Sequence, residues 1–262
     1  MSIFKITDHP KFPNYYKYCE NTGTCFYIPA KERSYSNSYF MEEYKAQYKK
    51  TYYEDEQSLR SLAKRRLAVL EKFNRPRKTK LLEVGSAAGF FLDEARKIGY
   101  NTKGIEISES EVNYAKDKLG LDVENISFLD FDAKNKYDCI ALFFVLEHFP
   151  DQETVLNKIF SLLNESGYLF LALPSIYGPS FSTNPEEWFK THPEDHFADY
   201  SPFSLKKVFQ YFNAKILYCE PMSYHVSRDK GMRGKFPFRF FYNSLARLTS
   251  YGDTIQILAQ RR

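Results

Sequence analysis

The sequence predicts an α/β protein with a doubly wound, mainly parallel, seven-stranded sheet and an N-terminal helical segment. Two observations support this prediction. From Lys80 onward, apolar runs of strand length alternate with helical patterns, which is typical of βαβ units with right-handed crossovers. The run at 137–144 is almost continuously apolar, as expected of a parallel strand that is buried on both faces.

The individual elements follow from local signals. The first predicted strand, 81–84, leads into a helix whose apolar face begins at Phe90, and Gly99 stands where a left-handed glycine ends many helices. Ser108 and Glu111 have the spacing of a capping box and predict the start of a second helix. The remaining strands are predicted at 102–107, 122–126, 137–144, 168–173, 214–219 and 254–259.

Two later helices have clear start signals. Asp151 is suited to cap the helix after the fourth strand, and Ser201 followed by Pro202 predicts the start of another. Long insertions at 174–202 and 221–253 interrupt the pattern, and long loops in a compact domain usually carry function.

The chain divides at about residue 74 into an N-terminal aromatic segment, 1–74, and the α/β domain, 75–262. Ten of the 21 tyrosines fall within residues 15–53. Four aromatic residues recur at i+4 and predict one face of a helix; they are Phe40, Tyr44, Tyr48 and Tyr52. A second helix is predicted from the acidic run 54–56 to the residues before Pro76.

Composition excludes several classes of protein. The chain has 262 residues, a net charge of +4 and 43% hydrophobic residues, which suit a folded core rather than a disordered chain. Its longest apolar run, Cys139 to Leu146, is far shorter than the ~20 residues of a membrane span. The N-terminus lacks the apolar stretch of a secretory signal, and four scattered cysteines do not make a disulfide scaffold. A cytoplasmic protein is therefore expected.

A turn of small residues, EVGSAAG at 83–89, joins the first predicted strand to the first helix. Small side chains let a ligand approach the backbone, and a helix N-terminus presents unpaired N–H groups. Glu106 ends the second strand, 21 residues after Gly85, where a carboxylate can accept hydrogen bonds from both hydroxyls of a ribose. These features predict a cofactor that contains a nucleoside.

Two classes of cofactor compete for this turn. Counting a dinucleotide fingerprint from Gly85 places Ala87 and Phe90 at its second and third glycines. The bulky Phe90 opposes close packing over a pyrophosphate, and the Glu83 carboxylate would repel phosphates. A carboxylate there suits a cofactor that carries an ammonium and a sulfonium group, which points to S-adenosylmethionine.

The chain resembles the class I S-adenosylmethionine-dependent methyltransferases over about residues 78–262. Within that family it is similar to the small-molecule enzymes, including the ubiquinone-pathway O-methyltransferases. The motifs that carry the resemblance are LLEVGSAAG at 81–89, Glu106, YDCI at 137–140 with VLEHFP at 145–150, and residues 169–175. The resemblance implies a Rossmann-like sheet whose last strand lies antiparallel between its neighbours.

The same resemblance implies the cofactor site. The turn surrounds the methionyl part of the cofactor, Glu106 binds the ribose, and the segment after the third strand covers the adenine. The residues so implied are Glu83, Gly85, Ser86, Ala87, Gly89, Glu106, Ile107, Phe128, Leu129 and Phe143. Tyr48 and Tyr52 are added because elements before the first strand form a lid in related enzymes; packing in the core is the alternative use of these tyrosines.

His148 and His196 are the predicted catalytic residues. His148, in the VLEHFP block, can act as a base near the methyl group, or it can pack and cap the next helix. His196 belongs to HPEDH at 192–196, where a neighbouring carboxylate can tune a histidine for proton transfer, or it can fix the loop. Related enzymes that hold a divalent metal use Glu-x-x-Glu-His, and Phe144 replaces the first Glu, so no metal is predicted.

The acceptor is predicted to be a small molecule. The Asn/Asp-Pro-Pro-aromatic block of enzymes that methylate base amino groups is absent at 143–146, which disfavours nucleic acid as a partner. The insertion at 221–253 interleaves basic and aromatic residues, which suits an anionic acceptor such as a sugar or nucleotide-sugar, an RNA surface, or a basic rim with aromatic packing beneath it. An RNA methyltransferase and a cofactor-binding protein without catalysis are the alternative functions. The oligomeric state is left open.

Overall fold

The computed structural model describes residues 2–32, 44, 49–77, 79–221 and 235–262. Two compact units make up the chain. The first unit consists of Met1–Glu32, Phe143–Phe160 and Leu169–Arg262, and the second unit of Arg33–Leu142 and Ser161–Tyr168.

The strands and helices alternate through most of the described chain. The strands are β1 (Ile6–Asp8), β2 (Tyr16–Cys19), β3 (Cys25–Tyr27), β4 (Lys80–Val84), β5 (Asn101–Glu106), β6 (Val123–Asn125), β7 (Tyr137–Phe143), β8 (Leu163–Pro174), β9 (Ala198–Asp199), β10 (Ala214–Pro221) and β11 (Thr254–Arg261). The helices are α1 (Glu56–Leu70), α2 (Phe90–Lys97), α3 (Glu109–Leu119), α4 (Gln152–Leu162), α5 (Pro179–Thr183), α6 (Pro185–Lys190), α7 (Pro202–Tyr211) and α8 (Phe238–Thr249).

The large sheet has seven strands in the order β10-β11-β8-β7-β4-β5-β6, which confirms the predicted fold class. Strand β4 pairs in parallel with β5 and β7, and β5 pairs in parallel with β6. Leu82 of β4 is aligned with Lys103 and Ile140, and both apolar side chains of that row are fully buried. Strand β11 runs antiparallel to β10 and lies between β10 and β8, as the resemblance implied.

Helix boundaries in the second unit follow the predicted signals with one exception. Gly99 and Gly120 adopt left-handed φ values of +103° and +62° where α2 and α3 end. The predicted capping box is wrong, because the Ser108 side chain makes no capping hydrogen bond and the Glu111 carboxylate accepts one from Tyr53 instead. Burial of Glu111 explains the difference, since its side chain is directed inward rather than back to the helix start.

Predicted caps in the first unit are confirmed. The Asp151 carboxylate accepts a hydrogen bond of 3.0 Å from the Thr154 N–H at the start of α4. Ser201 and Ser204 form a reciprocal capping box at the start of α7, with Pro202 at its first helical position.

A second, smaller sheet in the first unit was not predicted from the sequence. Its order is β1-β2-β3-β9, and every pair in it is antiparallel. Strand β9 comes from the insertion at 174–202, so this insertion completes a sheet that the first 27 residues begin. Among the described residues, none of the helices has the length and apolar content needed to cross a bilayer.

Candidate functional site

The turn between β4 and α2 has a left-handed backbone at three positions. The φ angles are +70° at Gly85, +45° at Ala87 and +82° at Gly89. A Cβ on Gly89 would lie 2.5 Å from the Leu121 side chain, so this glycine is needed for both backbone conformation and packing. Ala87 adopts a backbone conformation that favours glycine. The family motif has a glycine at this position, and this sequence departs from it.

Glu106, at the end of β5, is fixed beside this turn by backbone donors. Its two carboxylate oxygens accept hydrogen bonds of 2.9 Å, one from the Ala87 N–H and one from the Ser108 N–H. Burial raises the pKa of the Glu106 carboxyl, and the hydrogen bonds from Ser108 and Ala87 act against that rise. Each carboxylate oxygen can accept a second hydrogen bond, so the pair of oxygens retains the capacity to bind a diol.

Glu83, at the end of β4, is a buried carboxylate with an unpaired oxygen. Its side chain is almost fully buried, and its Oε2 atom has no hydrogen-bond partner among the described residues. Burial raises the pKa of Glu83 well above its ordinary value, while the nearby Arg66 guanidinium acts to lower it and Glu106 adds to the rise. Arg66 comes from α1 and is itself buried, which lowers its pKa to about 10.

Tyrosines from the predicted lid reach the same region of the second unit. Tyr52 stacks on Phe90, the first residue of α2, with ring centroids 5.4 Å apart and an interplanar angle of 10°. Tyr53 donates a hydrogen bond of 2.9 Å to Glu111, a buried carboxylate of α3. Burial raises the pKa of the Tyr52 hydroxyl, and the negative charge of Glu83 adds to the rise.

The structure describes only part of the predicted i+4 stripe of aromatic residues. Phe40 and Tyr48 lie outside the described residues. Tyr44 is helical, whereas Tyr52 lies in a turn that follows Lys49, whose φ of +59° is left-handed. Tyr52 is therefore not on a common helix with Tyr44, although their rings contact edge to face at 5.1 Å.

Other predicted cofactor residues follow the ends of β5 and β6. Ile107 and Leu129 are exposed, whereas Phe128 is buried. Asn125, which sequence reasoning missed, donates from its side-chain amide to the backbone carbonyls of Glu106 and Ile107 at 3.0 and 2.9 Å. This amide joins the end of β6 to the end of β5, directly before the segment 126–129.

These residues fit the predicted cofactor. Three buried carboxylates interact in this region, since Glu106 raises the pKa of both Glu83 and Glu111, and only Glu83 is shown beside the buried guanidinium of Arg66, so the region favours a cationic ligand. The Glu83 Oε2 and Ser86 Oγ atoms are buried without a hydrogen-bond partner among the described residues. Buried polar atoms normally have partners, and an ammonium group would supply donors to such oxygens.

The first unit contains a separate cluster of titratable side chains around the short 3-10 turn Leu146–His148. Glu147 is almost fully buried, and neither of its carboxylate oxygens accepts a hydrogen bond from another described residue. Burial raises the pKa of Glu147 to about 7, with His148 acting in the opposite direction. The Glu147 backbone carbonyl accepts a hydrogen bond of 2.7 Å from the Phe197 N–H, which ties the turn to the insertion at 174–202.

Asp195 from that insertion pairs with His148. The Nδ1 atom of His148 lies 3.3 Å from the Asp195 Oδ2 atom and 3.1 Å from the Asp195 backbone carbonyl. Burial acts to lower the pKa of His148, but Asp195 and Glu147 together raise it above the ordinary value. His148 is thus oriented by a carboxylate and made more basic than a solvated imidazole.

His196 has a different environment from the one predicted. Its ring lies edge to face with His148, with centroids 4.7 Å apart. Burial and the charge of His148 lower the pKa of His196 to about 3, so its imidazole is neutral at neutral pH. The close carboxylate partner expected for His196 is found on His148 instead, because Asp195 is directed toward the 3-10 turn.

One group of described side chains has the spacing of a metal site. Ligand atoms of Glu147, His148 and His196 all lie within 4.8 Å of one another. The sequence predicted no metal because Phe144 replaces a motif carboxylate, yet folding brings His196 to the remaining Glu147 and His148. Two imidazoles and a carboxylate are a ligand set that divalent transition metals accept.

Phe143 and Trp188 make contacts with other aromatic residues of the first unit. Phe143 contacts Phe170 edge to face at 5.5 Å. Trp188 donates a hydrogen bond of 3.0 Å to the Tyr16 hydroxyl, which in turn donates to Asp199 at 2.6 Å. The hydrogen bond from Trp188 ties the insertion at 174–202 to strand β2.

The chain is similar to known methyltransferases in sequence. A family model described as a methyltransferase domain matches residues 52–218. A ubiquinone biosynthesis O-methyltransferase of Rhodopseudomonas palustris is 26% identical over 98 residues, which are 36% of this chain and 39% of that protein. The enzyme of the same name from Coxiella burnetii is 27% identical over 99 residues, 35% of this chain and 42% of that protein. The chain thus matches about two fifths of the length of these relatives.

Solved structures share the fold at low sequence identity. A SAM-dependent methyltransferase from Archaeoglobus fulgidus has a TM-score of 0.55 and 18% identity, covering 77% of this chain and 94% of that one. Magnesium protoporphyrin IX methyltransferase from Synechocystis, with bound SAH, has a TM-score of 0.59 and 13% identity, covering 86% of this chain and 95% of that one.

Proposed function

The chain belongs to the family of S-adenosylmethionine-dependent methyltransferases, and from that membership we propose that it transfers a methyl group from S-adenosylmethionine to a hydroxyl of a small-molecule acceptor. The observation that carries the proposal is the Glu106 carboxylate, held by two backbone N–H groups beside the left-handed turn at 85–89. The curated relatives named above are O-methyltransferases, which favours oxygen as the methylated atom.

Residues of the second unit would bind the cofactor. Glu106 would accept hydrogen bonds from the ribose hydroxyls, and the buried Glu83 would attract the ammonium group of the methionyl part. When bound, S-adenosylmethionine supplies an electrophilic methyl group. The protein's contribution to such an in-line transfer is mainly alignment and exclusion of water.

Residues of the first unit would prepare the acceptor. An acceptor hydroxyl must lose its proton as its oxygen takes the methyl group, and a base of raised pKa assists that loss. His148 is suited to be this base because Asp195 holds its Nδ1 side and raises its pKa, which leaves proton transfer to Nε2. His196, with a pKa of about 3, would act as a neutral hydrogen-bonding group.

The anionic character expected of the acceptor does not enter the proposal. It depended on basic residues of the insertion at 221–253, and Arg228, Lys230 and Arg233 lie outside the described residues. The acceptor is a small molecule with a reactive hydroxyl.

Calorimetry and an acceptor search test the proposal together. The purified protein should bind S-adenosylmethionine and S-adenosylhomocysteine, and incubation with a cell extract should yield a product about 14 mass units heavier than its precursor. His148→Gln should lose turnover while retaining cofactor affinity, and the same assay after chelation distinguishes proton transfer from metal-dependent chemistry. Absence of cofactor binding up to millimolar concentration, in protein shown to be folded, would contradict the proposal. Binding without any methylated product would indicate a cofactor-binding protein that lacks catalysis.

A further inference from the structure

Helix α8 has its apolar stripe on the solvent side. At 100° per residue, Phe238, Phe241, Leu245 and Leu248 share one face of the helix, and all four are exposed. Ala246, about 120° around the helix from the centre of this stripe, is buried. A helix of a globular protein normally directs such a stripe into the core. In α8 this arrangement is reversed.

The exposed apolar surface extends beyond the stripe. Phe236, just before the helix, is 92% exposed, and Phe240 is 70% exposed, while Leu248 near its C-terminal end is 84% exposed. Single exposed apolar side chains are common on proteins, but six of them within residues 236–248 are typical of an interaction surface. The sequence allowed aromatic packing beneath a basic rim as one interpretation of this insertion, and for these side chains that interpretation is wrong.

The same segment is basic in sequence. The described residues 235–249 contain three basic residues, Lys235, Arg239 and Arg247, and no Asp or Glu, so this segment carries a net charge of +3. Helix α8 itself has no acidic residue. Among the described basic side chains, Arg247 pairs with Glu220 of β10 at 3.1 Å, whereas Lys235 is exposed at the N-terminal approach to the helix.

We propose that α8 docks on the surface of an anionic phospholipid bilayer. The helix would lie in the plane of the interface, with the stripe of Phe238, Phe241, Leu245 and Leu248 in the headgroup and acyl boundary. Its 12 residues span about 18 Å, which suits a helix that lies on a membrane rather than one that crosses it. An apolar face rich in Phe and Leu with flanking Lys and Arg is the pattern of interfacial helices.

The positive charge of this segment favours an anionic bilayer over a second copy of the chain as the partner of α8. A two-fold contact through α8 would place the same basic segment of both copies in one interface, and like charges there oppose association. An anionic bilayer offers the complementary charge together with an apolar layer for the aromatic side chains. The proposal does not depend on the proposed enzymatic function, because docking requires neither cofactor nor acceptor.

Vesicle flotation of the full chain tests the proposal. Vesicles of phosphatidylcholine alone are compared with vesicles that contain phosphatidylcholine and phosphatidylglycerol at 7:3. The chain should partition onto the anionic vesicles at least tenfold more strongly than onto the neutral ones, and raising the salt concentration should weaken the binding. The double variant Leu245→Asp, Leu248→Asp should lose at least tenfold of the binding to anionic vesicles.

A matched variant controls for the added negative charge. Ile6→Asp with Phe203→Asp changes two exposed apolar residues elsewhere in the first unit and adds the same charge, so it should lose less than threefold of the binding. All four substitutions are at exposed positions, and circular dichroism and thermal unfolding should show native structure in both variants. Failure of the wild-type chain to float with anionic vesicles would overturn the proposal, as would equal loss in the two variants. A dimer seen by sedimentation equilibrium that only the α8 variant loses, without vesicle binding by the wild type, would assign the surface to a second copy.

Discussion

The backbone N–H of Ala87 donates a hydrogen bond of 2.9 Å to the carboxylate of Glu106, 19 residues further along the chain. Because Ala87 lies in the turn after β4 and Glu106 at the end of β5, this bond fixes the acidic side chain relative to the turn. The same carboxylate accepts the Ser108 N–H, so the position of both oxygens is determined before any ligand binds.

Replacing Glu106 by Gln should weaken cofactor binding. Glutamine has one acceptor oxygen, so it cannot accept hydrogen bonds from both backbone donors and from both hydroxyls of a ribose. The expected loss is about 2–4 kcal/mol, roughly a 30- to 700-fold rise in Kd for S-adenosylhomocysteine measured by calorimetry. Glu124→Gln is the control, since Glu124 is near the end of β6 and pairs with Lys103 at the surface. An unchanged Kd in the Glu106 variant would refute the assignment of the ribose.

Replacing Ala87 by Gly should stabilise the protein. The φ of +45° at Ala87 strains an L-residue by about 1 kcal/mol, and glycine removes this strain at the cost of a more flexible unfolded chain. We expect a net gain of up to about 0.5 kcal/mol in the free energy of unfolding, measured by urea denaturation. Ala88→Gly provides the comparison, because Ala88 is fully buried and its φ is not left-handed, and it should lose about 1 kcal/mol. Equal losses in the two variants would contradict the strain argument.

Replacing Glu147 by Gln should stabilise the protein at high pH and have little effect at low pH. Burial raises the folded-state pKa of Glu147 to about 7, so ionising this carboxyl costs more in the folded state than in the unfolded one. This cost of ionisation is absent below the pKa of the carboxyl in the unfolded state. It grows as the pH rises to about 7 and is constant at higher pH. We expect the variant to gain about 2–3 kcal/mol at pH 8 and almost nothing at pH 4, measured by thermal unfolding. A gain that does not depend on pH would show that Glu147 is not ionised in the folded protein.

Replacing Arg60 by Met should destabilise the second unit in a manner that depends on pH. Arg60 of α1 lies 2.6 Å from Asp93 and 2.7 Å from Glu94 of α2, and both carboxylates are largely buried. Several cations, with Arg60 among them, outweigh the effect of burial and lower the pKa of Asp93 and Glu94. Their contribution to stability is therefore present above the unfolded pKa values of about 4 and lost as the pH falls.

Urea denaturation at several pH values measures this effect. The Arg60 variant should lose about 1–3 kcal/mol at pH 7, with the lower part of the range reflecting the remaining contacts of Lys97 and Arg96 with these carboxylates. The difference from the wild type should shrink toward pH 3. Lys64→Met is the control, because Lys64 is exposed and lies 3.6 Å from Glu94, and it should change stability by less than about 0.5 kcal/mol. A loss of equal size at pH 3 and pH 7 would indicate lost packing rather than lost ion pairs.

Local patterns were sufficient for the parallel strands and for the cofactor turn. Strand β7 could be predicted because a strand buried on both faces needs a nearly continuous apolar run. The turn could be predicted because small residues between a strand and a helix are needed where a ligand approaches the backbone. The role of Asn125 could not be predicted. A single amide at the end of a strand has no distinctive sequence pattern, and its partners become clear only when β6 is paired with β5.

Other features depended on contacts between residues far apart in the chain. Strands β1–β3 are only three or four residues long, and they are completed by β9, about 170 residues later. A periodic pattern cannot be recognised in strands this short, and it does not identify a partner strand so far along the chain. The turn at Tyr52 was missed because an i+4 aromatic pattern predicts a helix wherever the backbone permits one, and the left-handed φ of Lys49 does not.

The sequence by itself determined the family, the sheet and the residues at the carboxyl ends of β4 and β5, because each of these depends on residue types at short and regular spacing. The tertiary structure decided which histidine acquires a carboxylate, since His148 and Asp195 are 47 residues apart and only folding joins them. It also decided which face of α8 contacts the rest of the protein. A periodic pattern reveals that a helix has an apolar face, but which side of the helix meets the protein is set by packing, and here the apolar face remains in solvent.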